Sequence, residues 1–80
     1  MIELTLYSRA GCHLCDDMQR DLEAQHAQFD FALRRVDIDT DPVLQARYRT
    51  RVPVLAHGEH EICIFRLDRE ALAVYLRGAG

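Results

Sequence analysis

Apolar and polar positions alternate in some stretches of the chain and recur with a helical period in others. The stretch from Glu3 to Ser8 alternates and is rich in strand-favouring residues, so it predicts a buried strand. The next stretch has Leu14, Met18 and Leu22 four residues apart, with charged residues between them. That spacing predicts an amphipathic helix that begins at Cys12 and ends at about residues 25–28.

The rest of the chain predicts five more elements. Strands are predicted over residues 32–37, 54–57 and 61–65, with a turn at Gly58-Glu59 or Glu59-His60 between the last two. A helix over 42–49 starts with Asp41 as N-cap and Pro42 as first residue, and a last helix is capped by Asp68 and ends at Gly78. The side chains expected to face the core are Val43, Leu44, Ala46 and Tyr48 on the first of these helices and Leu72, Val74, Tyr75 and Leu76 on the last.

The resulting order, β-α-β-α-β-β-α, predicts an α/β fold. The connections between the first three strands are long enough for right-handed crossovers, which indicates a mixed, partly parallel four-stranded sheet with helices on both faces. An antiparallel hairpin is expected to close one edge. The chain of 80 residues is long enough for one domain, predicted over 1–80.

Composition excludes several classes of protein. The formal net charge of −3 argues against a nucleic-acid surface. All ten basic residues are Arg, which does not change this conclusion. The sequence lacks an apolar run long enough to cross a bilayer and lacks the pattern of a signal peptide, so we expect a cytoplasmic protein without a membrane partner, and a monomer. Three cysteines, an odd number, do not suit a secreted disulfide framework.

The pair Cys12-His13-Leu14-Cys15 carries the candidate chemistry. It lies where a strand, a tight turn with Gly11 and a helix N-terminus follow one another, and the free N–H groups there favour a thiolate. Cys12 is expected to be exposed and to attack a substrate disulfide. Cys15, half-buried one turn later, is expected to attack Cys12 in the resulting mixed disulfide and so release the substrate. Arg9 and His13 would add positive charge near the sulfur, whereas Asp16 and Asp17 would oppose it. Arg9 is also expected to contact the substrate.

Other residues complete the candidate site or offer an alternative to it. Because the chain also contains a dithiol helix, Val52-Pro53 predicts a cis peptide bond. Such a bond would present the backbone of Val52 to an extended substrate. Arg51, the residue before Val52, is the candidate to bind a substrate carboxylate. Zinc needs four ligands, but the further candidates, His57, His60 and Cys63, are not at paired ligand spacing, so no metal is expected. Cys63 is predicted to be a packing residue, and the two histidines to be solvated.

These residues together resemble the thioredoxin fold, and more closely its glutaredoxin branch, over nearly the whole chain. The run from Leu6 to Cys15 is similar to the glutaredoxin opening, in which a strand leads to Gly-Cys-Pro-Tyr-Cys, and Val52-Pro53 matches the cis-proline element. The chain is most similar to small bacterial glutaredoxin-like proteins with Gly-Cys-His-Leu-Cys. The resemblance implies thiol–disulfide exchange with a protein or small-molecule substrate in cell redox homeostasis.

Three departures from glutaredoxins bear on the substrate. His13-Leu14 replaces Pro-Tyr, Arg51 replaces the Thr of Thr-Val-Pro, and Ile62 to Asp68 contains no Gly-Gly pair to hold glutathione. The sequence therefore does not favour glutathione as a co-substrate, and no other cofactor is expected. Two other classes stay open: a protein that binds zinc or an iron–sulfur cluster through the dithiol, and an adapter that keeps the fold without turnover.

Overall fold

The computed structural model describes residues 1–79; Gly80, the last residue of the predicted domain, lies outside the described residues. Within these residues the chain forms four strands and three α-helices, with a short 3-10 turn over Ile38–Thr40. In chain order these are β1 (Ile2–Ser8), α1 (His13–Gln25), β2 (Phe31–Asp37), α2 (Pro42–Tyr48), β3 (Val54–His57), β4 (His60–Ile64) and α3 (Arg69–Ala79). The predicted α/β class and mixed four-stranded sheet are confirmed.

The strands lie in the order β2-β1-β3-β4. β1 and β2 are parallel, in a register that pairs Ile2 with Phe31 and Ser8 with Asp37, so α1 is a crossover between parallel neighbours. β3 runs antiparallel to β1, and β4 antiparallel to β3. The second connection therefore reverses the chain instead of completing another parallel crossover, although its length would allow one.

Two apolar clusters fix the helices on opposite faces of the sheet. One cluster joins strand residues such as Leu4, Leu6 and Leu55 to Met18 and Leu22 of α1 and to residues of α3. The other lies under α2 and contains Ile38, Tyr48 and Val54. Because successive strand residues point to opposite faces, the neighbours Val54 and Leu55 of β3 pack in different clusters.

Two helix faces differ from the prediction. On α2, Val43 and Ala46 are exposed, and on α3 Val74 is exposed. The seven-residue α2 contacts the sheet through Leu44 and Tyr48 alone among its predicted core residues, because so short a helix presents only a narrow stripe to its neighbour.

The hairpin also differs in detail from the prediction. Its turn is Gly58-Glu59, the first of the two predicted options, with Gly58 at a φ of 61°. His57 and His60 are not simply solvated: the His57 Nδ1 lies within hydrogen-bond distance of the Tyr75 hydroxyl, and the His60 ring stacks on the Tyr75 ring with centroids 4.6 Å apart. No helix within residues 1–79 is both long enough and apolar enough to cross a bilayer.

Candidate active site

The dithiol lies at the N-terminus of α1, as the sequence predicts. Cys12 is the N-cap, with extended backbone at φ −88° and ψ 108°, and its Sγ accepts a hydrogen bond from the Cys15 amide at 3.1 Å. The two residues are joined in a disulfide, with Cα atoms 5.2 Å apart, inside the range that a disulfide needs. The structure is therefore that of the oxidised protein.

Both cysteines are more buried than the sequence indicated. Cys15 is fully buried rather than half-buried, and Cys12 is partly exposed rather than fully exposed. The difference arises because Cys15 begins the stripe of α1 that continues with Met18 and Leu22 into the core. Gly11, at a φ of 76°, makes the tight turn that brings Cys12 to the surface before the helix starts.

The loop before β3 contains the predicted proline element. The Val52–Pro53 peptide bond is cis in this structure. The Val52 amide donates to the Tyr48 carbonyl at 3.1 Å, and the Pro53 carbonyl accepts from the Phe65 amide at 2.8 Å. Within residues 1–79 the backbone group of Val52 left for a substrate is its carbonyl, since its N–H is already bonded.

The two arginines predicted to meet substrate already have partners within the chain. Arg9 forms an ion pair with Asp39, with Nε 3.2 Å from Oδ1. A hydrogen bond from Gln45, together with Arg9, holds the pKa of Asp39 below its usual value against a smaller opposing effect of burial. Arg51 pairs with Glu61, donates to the Arg47 carbonyl at 3.1 Å and lies over the Tyr48 ring. Both guanidinium groups therefore anchor loops of the chain.

Arg35 is a residue of the site that the sequence did not reveal. Its guanidinium donates to the Ser8 hydroxyl at 3.0 Å, to the Gln19 amide oxygen at 2.7 Å and to the Asp16 carboxylate at 2.9 Å. It thereby links the ends of β1 and β2 to the first turns of α1 and balances a negative charge next to Cys15. Nothing in the local sequence around residue 35 predicts these contacts.

His13 and Cys63 lie apart from this network. His13 is the exposed first residue of α1. Cys63 is half-buried against the core, and burial raises the pKa of its thiol, as suits the predicted packing residue. Among residues 1–79 no group of three or more His, Cys, Asp or Glu side chains is placed to hold a metal ion.

Comparison with known proteins identifies the family. Residues 3–77 match the family described as Glutaredoxin-like domain (DUF836). The chain belongs to this glutaredoxin-like family. A search of curated proteins found no match. The segment that matches the family, residues 3–77, covers almost every described residue and contains the disulfide-bonded Cys12–Cys15 pair.

Solved structures support the same assignment. A protein of Nitrosomonas europaea, solved by NMR, is 35% identical, with a TM-score of 0.85 over 94% of this chain and 91% of that one. A structural-genomics target from X. campestris is 36% identical, with a TM-score of 0.69 over 96% of this chain and 99% of that one. A thioredoxin variant from Halobacterium salinarum, 22% identical with a TM-score of 0.64 over 96% and 73%, shows that the fold is that of thioredoxin.

Proposed function

We propose that this glutaredoxin-like protein is a thiol–disulfide oxidoreductase whose redox couple is Cys12–Cys15. The observation that carries the proposal is the position of Cys12: a partly exposed sulfur at a helix N-cap, 3.1 Å from the Cys15 amide, with a buried partner sulfur one turn away. Backbone N–H groups at a helix N-terminus favour the negatively charged thiolate, which is the attacking species.

The reaction proceeds in two exchange steps. The Cys12 thiolate attacks one sulfur of a substrate disulfide, forms a mixed disulfide and releases the other substrate sulfur as a thiolate. The Cys15 thiolate then attacks the Cys12 sulfur, which closes the Cys12–Cys15 disulfide and releases the second substrate thiolate. Two electrons pass from the dithiol to the substrate, and the two protons lost by the dithiol are taken up by the released thiolates. A thiol reductant must then return the protein to its dithiol form.

Single cysteine substitutions test the roles of the two sulfurs. We expect Cys12→Ser to abolish thiol–disulfide exchange with a small disulfide such as hydroxyethyl disulfide, because the exposed attacking sulfur is missing. Cys15→Ser should instead accumulate a mixed disulfide on Cys12, because the resolving sulfur is missing. Cys63→Ser is the control and should react like the unmodified protein. Intact-mass spectrometry after rapid acid quenching distinguishes the three results, and exchange at an undiminished rate in Cys12→Ser would contradict the proposal.

A redox titration tests whether the couple works at cellular potentials. The protein is equilibrated across a series of reduced-to-oxidised glutathione ratios, and its mass is recorded at each ratio. We expect a loss of two hydrogens with a midpoint at about −200 to −270 mV, the range of glutaredoxins and thioredoxin. A protein that keeps one mass at all ratios would be no exchange enzyme and would favour an adapter role.

A further inference from the structure

Two large apolar side chains remain exposed next to the dithiol. Leu14, between the two cysteines, is 38% exposed, and Phe65, after β4, is 43% exposed. Together with Met18 and Leu67 they line one cleft, whose other lining residues are charged: Asp17, Arg20, Asp21 and Arg66. Leu14 lies two residues after Cys12, so the cleft begins beside the dithiol.

The backbone holds Phe65 in a conformation that a bulky residue rarely adopts. Its φ is 67°, and the Arg66 amide donates to the Ile64 carbonyl at 2.8 Å, which makes a γ-turn of the rare, strained type centred on Phe65. The sequence had placed Phe65 inside the last strand, but β4 ends at Ile64. The Phe65 amide also donates to the Pro53 carbonyl, so the turn is fixed against the loop that precedes β3.

Burial of the phenyl ring does not explain this strained turn. Strained backbone conformations persist where the surrounding structure fixes them, and they cluster at active sites and ligand-binding sites. Phe65 stays 43% exposed, and the same turn fixes it on the cleft that it shares with Leu14. The turn therefore presents an apolar side chain at the cleft, where a bound segment can contact it.

We propose that Leu14 and Phe65 form the docking surface for an extended segment of a protein substrate, and contact an apolar side chain adjacent to the substrate cysteine. This rests on the proposed exchange at Cys12. Such a side chain would bury the exposed parts of Leu14 and Phe65 and remove apolar surface from water. The Val52 carbonyl, beside Pro53, supplies a backbone acceptor for the same segment.

The charges near the dithiol favour a protein segment over glutathione. Glutathione carries two carboxylates and no large apolar side chain, so it would need free cations and would leave Leu14 and Phe65 exposed. Arg9, Arg35 and Arg51 are each already paired with a carboxylate of the chain. In the cleft itself the two guanidinium groups, of Arg20 and Arg66, are matched in number by the carboxylates of Asp17 and Asp21, so the cleft offers no net positive charge. A neutral peptide segment with one apolar residue fits the cleft better in both respects.

The test uses two capped, uncharged peptide disulfides that differ in one residue. Each probe is a disulfide-linked dimer, of acetyl-Gly-Leu-Cys-Gly-amide or of acetyl-Gly-Ser-Cys-Gly-amide. Reduced protein is mixed with each probe, with oxidised glutathione and with hydroxyethyl disulfide, and the second-order rate of dithiol oxidation is measured by mass after quenching. We expect the leucine peptide to react about tenfold faster than the serine peptide, a preference in the range that burial of a small apolar group supports.

Two variants locate the preference. In Phe65→Gly the ratio of the leucine-peptide rate to the serine-peptide rate should fall to about one. Because glycine accepts the positive φ, the turn can be kept without the ring. The matched control, Val43→Ala, shortens another exposed apolar side chain, on α2, and should keep the tenfold ratio. Circular dichroism confirms that both variants are folded.

Each outcome decides a different point. The docking surface would be overturned by a rate ratio of about one in the unmodified protein, or by a tenfold ratio that survives in Phe65→Gly. The proposed function would still stand in both cases as long as hydroxyethyl disulfide oxidises the dithiol. Oxidised glutathione reacting as fast as the leucine peptide would assign the cleft to glutathione instead and would also overturn it. If no probe oxidises the dithiol, including hydroxyethyl disulfide, then the proposed function fails and the docking surface with it.

Discussion

Replacing Arg35 with methionine should destabilise the protein measurably, although Arg35 lies at the surface. Its three hydrogen bonds join β2 to Ser8 at the end of β1 and to Asp16 and Gln19 on α1. Methionine keeps most of the apolar stem of the arginine side chain, so the substitution removes the guanidinium and little packing. The change therefore isolates the polar network beneath the dithiol.

The expected loss follows from the exposure of each partner. Asp16 and Gln19 are accessible to solvent, and the Arg35–Asp16 pair has side-chain exposures of 34% and 58%, so each of these bonds contributes about 0.3 kcal/mol after screening. Ser8 is 2% exposed and would keep only a 3.4 Å bond to the Val36 carbonyl, a loss of about 1 kcal/mol. The sum is about 1.6 kcal/mol, which lowers the Tm of a domain of 80 residues by about 6–13 °C.

Urea unfolding followed by circular dichroism measures this free energy, and the neighbouring residue supplies the control. Arg34 is exposed, and no side-chain hydrogen bond or ion pair of Arg34 is found within residues 1–79, so Arg34→Met should change the free energy of unfolding by less than about 0.5 kcal/mol. Arg35→Lys should recover only part of the loss, because one ammonium group cannot reproduce a planar fork that meets three acceptors. Equal stability of Arg35→Met and Arg34→Met would refute the reasoning.

Three further predictions concern the core, a helix cap and the third cysteine. Leu22→Ala should lower the free energy of unfolding by about 3 kcal/mol in urea unfolding, since Leu22 is fully buried between α1 and the sheet, whereas Val43→Ala should change it by less than about 0.5 kcal/mol. Asp41→Ala should cost about 1 kcal/mol in the same assay, because the Asp41 carboxylate accepts the Val43 amide at 2.9 Å; a cost below 0.3 kcal/mol would show that the cap is not formed in solution. Burial raises the pKa of Cys63, so its reactive thiolate becomes abundant only at a higher pH than in the unfolded chain. At pH 8, iodoacetamide should therefore label Cys63 more slowly in the folded protein than in urea, as measured by peptide mass. Equal labelling rates would contradict the burial.

Features that depend on neighbouring residues were predictable from the sequence. Cys12 lies at the N-cap of α1, and Asp41 and Asp68 cap α2 and α3, because each cap is a bond between residues two or three apart. The strand positions were predicted to within one residue at most ends, since alternation and turn residues mark them locally. The order of the elements followed from the same signals.

Features that depend on distant contacts were not predictable. Nothing local to β3 shows that it runs antiparallel to β1, because the direction is decided by how the chain returns after α2. Arg35 contacts Asp16, 19 residues earlier in the chain, so its role appears only after β2 and α1 pack together. Phe65 follows an alternating run and looks like its continuation, but its positive φ and the γ-turn that joins the Arg66 amide to the Ile64 carbonyl end the strand one residue earlier.

The arrangement separates the activation of the sulfur from the recognition of the substrate. In the proposed reaction Cys12 is activated by backbone N–H groups at the start of α1, because the arginines around the site are committed to carboxylates of the chain. A backbone donor acts on the sulfur whatever side chains stand between the two cysteines. His13 and Leu14 can therefore differ from the glutaredoxin pattern without removing the nucleophile. Those side chains, and Phe65 across the cleft, are then free to determine which disulfide reaches it.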